Sequence, residues 1–206
     1  MRGRAGDDPA VALRELLIDT AAKLLAERPV PAITTRDIAR AAGVSDGVLY
    51  NYFRDKYDLL AAALVRRYEA SVERFGADLP APGTATVEQN LTTYLRAALG
   101  LVATTLPVVS GLMSESALLH RFVAAIHTEP LGPQRLHQPI ADYLAAERRL
   151  GRLGDFDDQA VLSLIVGPAM MLGFTHVVGG RPVEEVAAQI PGIVRTLLHG
   201  LEPRTG

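Results

Sequence analysis

The sequence lacks cysteine altogether and has almost no net charge. The absence of cysteine excludes disulfide scaffolds, thiol nucleophiles and thiolate metal sites. The 206 residues include 21 basic and 23 acidic side chains, which give a formal net charge of −2. Total charge therefore argues neither for nor against a nucleic-acid partner. Hydrophobic residues make up 49% of the chain, which excludes a wholly disordered protein and is enough for a sizeable core.

The basic residues are unevenly distributed along the chain. Residues 1–67 contain 11 Lys and Arg against 9 Asp and Glu, whereas residues 68–206 contain 10 against 14. This difference mildly favours an anionic partner for the N-terminal part. The polar start of the chain does not have the pattern of a secretory signal.

Two long stretches, 97–114 and 159–180, contain no charged residue. The second is long enough to cross a bilayer. However, Gly167-Pro168 interrupts it and no basic cluster flanks it. The sequence therefore predicts a buried helix there and no membrane partner.

Helical periodicity recurs along the chain, whereas patterns typical of strands are scarce. We predict an all-α fold of about nine helices, separated by proline, glycine and capping residues. The clearest linker is 79–86, LPAPGTAT. The predicted helices lie at about 13–28, 34–42, 45–53, 55–75, 86–104, 107–127, 134–150, 158–180 and 182–201.

The most informative segment runs from Thr34 to Lys56 and reads TTRDIARAAGVSDGVLYNYFRDK. Its spacing fits two short helices that meet across a turn at Gly43, where a positive φ is needed. The inward-facing residues would be Ile38, Ala42, Val44, Leu49 and Tyr52. The outer face of the second helix would consist of Ser45, Asp46, Gly47, Val48, Tyr50 and Asn51. Small residues there allow close approach, and the phenol and carboxamide suit phosphates or base edges. The spacing alone leaves open an ordinary helical hairpin with a polar face.

The run GVSDGVLYNYFRDK, preceded by TTRDIARAA and followed by a long amphipathic helix, resembles the DNA-binding domain of the TetR family of bacterial transcriptional regulators. The resemblance covers about residues 13–64, and the remainder matches the family's ligand-binding and dimerisation domain in length and helical layout. It implies a three-helix helix-turn-helix DNA-binding domain at 1–54, a connecting helix at 55–78 and a helical ligand-binding and dimerisation domain at 79–206. An N-terminal arm at 1–8, with Arg2 and Arg4, is interpreted as a flexible tail, with a minor-groove arm as the alternative.

By position, the resemblance implies ten residues that bind double-stranded operator DNA. Those expected at the DNA backbone are Thr35, Arg36, Tyr50, Tyr52 and Lys56. Those expected at the major groove are Ser45, Gly47 and Val48, while Asn51 would contact a phosphate or a base edge. Asp46 departs from the family pattern because a carboxylate repels phosphate. It would cap its helix or accept a hydrogen bond from a cytosine amino group.

Both charge-free stretches follow the linker, so the C-terminal part has a large apolar interior that suits a cavity. Candidate wall residues are Tyr94, Leu99, Val102, Met113, Phe122, Tyr143, Met170, Met171, Phe174 and His176. Core packing is the alternative for each of them. Because neither stretch contains Lys or Arg, we expect a neutral or cationic, largely hydrophobic effector.

The last predicted helix carries a wide apolar stripe. A monomer would fold this stripe inward, whereas a two-fold dimer would use it as an interface. The family resemblance implies a homodimer, and the predicted interface residues are Val186, Ile190, Ile193, Val194 and Leu197.

These features predict a cytoplasmic, homodimeric transcriptional regulator, in the first place a repressor, that binds palindromic operator DNA and is released by a small hydrophobic effector. The histidine spacing does not fit a metal site, and the sequence has no nucleophile elbow or phosphate-binding glycine loop. We therefore expect no catalytic residue, no metal and no cofactor. The alternatives are a helical small-molecule-binding protein or enzyme, and a DNA-binding dimer without an effector.

Overall fold

The computed structural model describes residues 8–77, 79–127 and 134–200, and all regular structure in these ranges is helical. The predicted all-α fold is thereby confirmed. The α-helices are α1 (Pro9–Glu27), α2 (Thr35–Ala42), α3 (Lys56–Ala77), α4 (Val87–Leu112), α5 (Ser116–Ile126), α6 (Gln134–Arg149), α7 (Asp158–Val177), α8 (Val183–Ala187) and α9 (Ile190–His199). Two short 3-10 helices, Val30–Ala32 and Asp46–Asn51, lie between the first three α-helices.

The described residues form two compact units. The N-terminal unit comprises residues 8–70 and 109–127. The C-terminal unit comprises residues 71–77, 79–108 and 134–200. Residues 109–127 therefore cluster with the N-terminal residues, although they follow the linker in the sequence. The functional division predicted at residues 54 and 78 stays a prediction.

The first three α-helices of the N-terminal unit begin at side chains that bind free backbone amides. At the start of α2, the Thr34 hydroxyl accepts a hydrogen bond from the Asp37 N–H at 3.1 Å, and the Asp37 carboxylate accepts from the Thr34 N–H at 3.0 Å. At the start of α3, the Asp55 carboxylate likewise accepts a hydrogen bond from the Asp58 N–H at 2.9 Å. Gly43 ends α2 with a φ of 71°, which glycine adopts without strain. These local signals explain why the sequence located α2 and α3 well.

The second helix of the predicted motif differs from expectation. Residues Asp46–Asn51 form a 3-10 helix, not an α-helix. The N–H groups of Val48 and Tyr52 donate to carbonyls three residues back, and the Ser45 side chain makes no capping hydrogen bond. With a glycine at its second position and only six residues, the segment lacks the propensity for a longer α-helix.

Several other predicted helix boundaries are wrong. The first helix begins at Pro9 and not near residue 13, and α5 begins at Ser116 and not near residue 107. The helix expected to end near Thr104 continues through Pro107 to Leu112, since one proline removes a single backbone hydrogen bond without ending α4. The single helix predicted for 182–201 is divided into α8 and α9, and Pro191 lies in the first turn of α9.

The core of the C-terminal unit is one apolar cluster supplied mainly by α4, α6, α7 and α9. A Cβ atom at Gly173 of α7 would lie 2.2 Å from Cγ1 of Val102 on α4, so only glycine allows this approach. The fully buried members of the cluster, at 1% exposure or less, are Leu91, Leu95, Tyr143, Leu172, Val186, Ile190 and Val194. By length and composition α4 and α7 are apolar enough to cross a membrane, yet both supply side chains to this cluster.

The linker at 79–86 is anchored by a buried carboxylate. Glu147 of α6 is fully buried. It accepts a hydrogen bond from the Gly83 N–H at 3.0 Å and pairs with Nε of Arg152 at 3.3 Å. Asn90 donates to the Thr84 carbonyl at 2.7 Å. A buried charge needs such partners, and these contacts hold the linker against the core of its unit.

Candidate functional site

The motif between Thr34 and Lys56 folds as two short helices with distinct inner and outer faces. Ile38 and Leu49 are buried in the core of the N-terminal unit. The predicted outer residues Ser45, Asp46, Gly47, Tyr50 and Asn51 are exposed, while Thr35, Val48 and Tyr52 are half-buried. Tyr50 is 60% exposed, so its hydroxyl is available to a partner. The motif therefore presents hydroxyl, phenol and carboxamide groups to solvent, and five of its six predicted outer residues are exposed while Val48 is half-buried.

Asp46 pairs with Arg36 across the two short helices. The Asp46 carboxylate accepts a hydrogen bond from Nε of Arg36 at 3.1 Å, and both side chains are exposed. This differs from the preferred interpretation of Asp46 as a helix cap. Asp46, which departs from the family pattern, is therefore paired with a cation of the same chain. This pairing limits the repulsion that a free carboxylate would exert on phosphate.

Lys56 and Asp55 fix the start of α3. The Lys56 ammonium donates to the Ile33 carbonyl at 3.0 Å and lies 5.4 Å from the centre of the Tyr57 ring. Asp55 binds the Arg121 guanidinium through two hydrogen bonds of 2.5 and 2.8 Å. The Arg121 guanidinium, by hydrogen bonding, lowers the pKa of Asp55 to about 2, so this ion pair persists at neutral pH. Lys56 therefore has a structural contact in addition to its predicted phosphate contact.

Sequence reasoning did not identify the contribution of α5 to this site. Besides Arg121, α5 is preceded by Glu115, which accepts a hydrogen bond from the Tyr57 hydroxyl at 3.0 Å. The paired residues are 66 and 58 positions apart in the chain. Charge complementarity was the only signal in the sequence, and it does not select one pairing among the many charged residues.

The C-terminal unit encloses an apolar cavity of about 180 Å³. Its lining residues come from α3, α4, α6 and α7, and are Phe75, Tyr94, Ala98, Leu101, Val102, Leu136, His137, Ile140, Ile165, Val166, Ala169 and Met170. The Tyr94 hydroxyl donates a long hydrogen bond of 3.4 Å to the Pro139 carbonyl. Burial raises the pKa of Tyr94 to about 12, so the phenol is neutral. The cavity can therefore accept an apolar group next to few polar ones.

The predicted wall residues fall into three groups. Tyr94, Val102 and Met170 line the cavity. Leu99 and Tyr143 are buried in the adjoining core, where the Tyr143 ring contacts that of Tyr94 at 5.0 Å. The remainder lie elsewhere, and whether any of them contacts a ligand stays a prediction. Met171 and Phe174 are exposed on α7, Met113 and Phe122 belong to the N-terminal unit, and the His176 ring is hydrogen-bonded to the Arg181 carbonyl.

The predicted interface residues lie in α8 and α9, and they differ in burial. Val186, Ile190 and Val194 are fully buried within a single chain, and Ile193 and Leu197 are half-buried against the same cluster. The alternative of an inward-facing stripe therefore holds for the first three. Their part in a dimer remains untested. Six large apolar side chains of the described part of this unit are exposed. Four of them lie on one face of α7 and its C-cap residue, namely Leu164, Met171, Phe174 and Val178, and the other two are Leu150 and Met170.

The arrangement defines a class: an all-α protein with a helix-turn-helix motif in one unit and an apolar cavity in the other. Residues 17–63 match the family profile described as "Bacterial regulatory proteins, tetR family". The fatty acid metabolism regulator protein of Bacillus subtilis (strain 168) is 33% identical over 69 residues, 34% of this chain and 36% of that protein. The HTH-type transcriptional repressor KstR2 of Rhodococcus jostii (strain RHA1) is 49% identical over 47 residues, 23% of each chain.

The similarity of fold extends over nearly the whole chain. The transcriptional regulator FadR from Bacillus subtilis, solved in complex with stearoyl-CoA, has a TM-score of 0.59 at 19% identity and covers 91% of this chain and 99% of that one. Residues 17–63 thus match the TetR family of bacterial regulatory proteins, as the motif predicted, and the rest of the chain is similar to that regulator in fold. The aligned segments span 36% and 23% of the two curated relatives.

Proposed function

We propose that this protein is a cytoplasmic, ligand-responsive transcriptional repressor that binds palindromic operator DNA as a homodimer and is released by a small hydrophobic effector. The observation that carries the proposal is the outer face of the segment Asp46–Asn51, whose side chains are exposed while the inner side of the same motif is buried. Its small N-terminal residues allow the backbone close to a groove, and Tyr50 and Asn51 supply groups suited to phosphate and base edges.

The proposed dimer rests on the exposed face of α7. Four large apolar side chains on one helix face are rarely left in water without a partner. A two-fold dimer would cover this face with its own copy. It would also bring two recognition segments to one DNA molecule, which is what palindromic half-sites require.

The proposed effector response rests on the cavity of about 180 Å³. A filled core would favour the alternative of a DNA-binding dimer without an effector, whereas an apolar cavity favours a ligand. The effector would bind preferentially to a conformation with lower affinity for the operator, and the equilibrium would shift toward that conformation. The names of two similar proteins, which refer to fatty acid metabolism and stearoyl-CoA, support an effector with an acyl chain.

DNA binding is tested by the change Tyr50→Phe. We expect about a tenfold loss of affinity for DNA of any sequence, because a hydrogen bond to a charged phosphate is lost while the ring remains. Sites are selected from random DNA with purified protein, and affinity is measured by fluorescence anisotropy at several salt concentrations. Tyr94→Phe is the matched control, since it removes the same hydroxyl in the C-terminal unit. A wild-type protein that selects no DNA, or whose affinity is independent of salt, would contradict the proposal.

The effector site is tested by filling the cavity with Ala169→Phe. Ala169 is 2% exposed and lines the cavity, so the larger ring should take the space that a ligand needs. We expect operator affinity within about twofold of wild type but loss of effector-induced release. Ala188→Phe adds the same ring at an exposed position outside the cavity and should leave release intact. Unchanged release by Ala169→Phe would show that effectors bind elsewhere.

A further inference from the structure

A second, more open pocket adjoins the apolar cavity of the C-terminal unit. Phe75 and Leu101 line both spaces, so the two adjoin at these side chains. The second pocket has a volume of about 280 Å³, and its other lining residues are Ser71, Arg74, Ala97, Gly100 and Thr104. It therefore adds hydroxyl groups and a guanidinium beside a space that is otherwise apolar.

Arg74 is the only lysine or arginine that lines either space in the described part of the chain. Its side chain is exposed and forms no hydrogen bond or ion pair with any described residue. On the facing helix, a Cβ atom at Gly100 would meet nothing within 4 Å. The pocket is therefore open in front of a cation that no described carboxylate neutralises.

The size of the cavity limits what it can hold. A protein cavity of about 150 Å³ admits benzene, and sites for drug-sized ligands exceed about 300 Å³. At about 180 Å³, this cavity holds one ring or a short hydrocarbon chain. Any larger effector must extend beyond it, and the pocket that contains Arg74 adjoins the cavity at Phe75 and Leu101.

We propose that the effector is an amphiphile with a single anionic end, whose apolar part occupies the cavity and whose carboxylate binds the Arg74 guanidinium. This inference rests on the proposed function and narrows the class of effector. It replaces the neutral or cationic effector expected from the sequence. That expectation considered only the charge-free stretches, whereas Arg74 reaches the site from α3. Guanidinium groups bind carboxylates with paired, charge-assisted hydrogen bonds.

The test compares straight-chain alkanoates of four to twelve carbons with the primary alkanamides of the same length. Each compound is titrated calorimetrically into the full-length wild type and into Arg74→Gln. For the chain length that binds best, we expect the wild type to bind the alkanoate about five- to tenfold more tightly than the alkanamide. Arg74→Gln should abolish this preference and leave the affinity for the alkanamide unchanged. The control Arg96→Gln, an exposed arginine of α4 outside both spaces, should retain the preference.

The outcomes separate this inference from the proposed function. Equal affinity for the two series overturns the anionic end but leaves a hydrophobic effector. A preference that survives Arg74→Gln overturns Arg74 as the partner of the carboxylate. Acyl-CoA thioesters that bind when no alkanoate does overturn the single anionic end. If no compound of any series binds, both the amphiphile and the cavity as an effector site are overturned, whereas the anisotropy assay still decides DNA binding.

Discussion

Replacing Met171 with glutamate is expected to convert a wild-type dimer into a folded monomer that binds operator DNA at least a hundredfold more weakly. One face of α7 and its C-cap residue carries four exposed apolar side chains: Leu164, Met171, Phe174 and Val178 are 55%, 54%, 57% and 60% exposed. A two-fold interface on this face would bury two glutamates, one from each subunit, without a cation to pair with either. Losing the dimer also removes the linkage between two half-site contacts, which is worth orders of magnitude in affinity.

Sedimentation at micromolar concentration measures the assembly of the Met171→Glu variant, circular dichroism measures its folding, and anisotropy measures its DNA binding. The matched control is Gln159→Glu, which adds the same charge to the same helix but about 100° away from the apolar face. If the Met171→Glu variant is still a dimer, the proposed interface on α7 is excluded. A monomeric wild type would contradict the homodimer itself.

The parts of the fold that the sequence predicted well depend on local interactions. The capping residues of α2, α3 and α4 act within three positions of one another. Thr86 and Gln89, for example, exchange hydrogen bonds of 3.1 and 3.0 Å at the start of α4. The inner and outer faces of the motif follow in the same way from its short spacing, with Ile38 and Leu49 inside and Tyr50 outside.

The parts that the sequence could not predict depend on contacts between distant segments. The cavity takes Phe75 from α3 and Leu136 from α6, outside both charge-free stretches. The pairing of Arg121 with Asp55 joins α5 to the start of α3 across 66 positions. An apolar or charged residue signals that it needs a partner, but it does not identify the partner. The similarity to a family of transcriptional regulators was nevertheless predictable, because the family motif lies within one short segment.

The apolar residues of α7, and not those of α9, are expected to form the dimer interface. An apolar stripe on a helix is equally consistent with packing inside one chain and with a contact between two chains. Ile190 lies on such a stripe and is fully buried within one chain, while Met171 is apolar and half-exposed. Only the packing of the whole C-terminal unit distinguishes the two.

Ile190→Asp is therefore expected to unfold the C-terminal unit and not to release folded monomers. Ile190 lies between the fully buried Val186 and Val194 in the main cluster of that unit. A carboxylate there would lose its hydration without gaining a partner, in addition to the lost apolar contacts. We expect a loss of more than about 4 kcal/mol in the free energy of unfolding, which is a large part of a typical domain's stability.

Urea unfolding followed by circular dichroism measures the effect, at several protein concentrations so that dissociation and unfolding are separated. Ile190→Ala should give an intermediate loss of about 2–4 kcal/mol, because a cavity forms without a buried charge. Thr196→Asp places the same carboxylate at an exposed position of α9 and should cost less than about 1 kcal/mol. A folded Ile190→Asp monomer with wild-type stability would show instead that this side chain faces a second subunit, as the sequence pattern alone allowed.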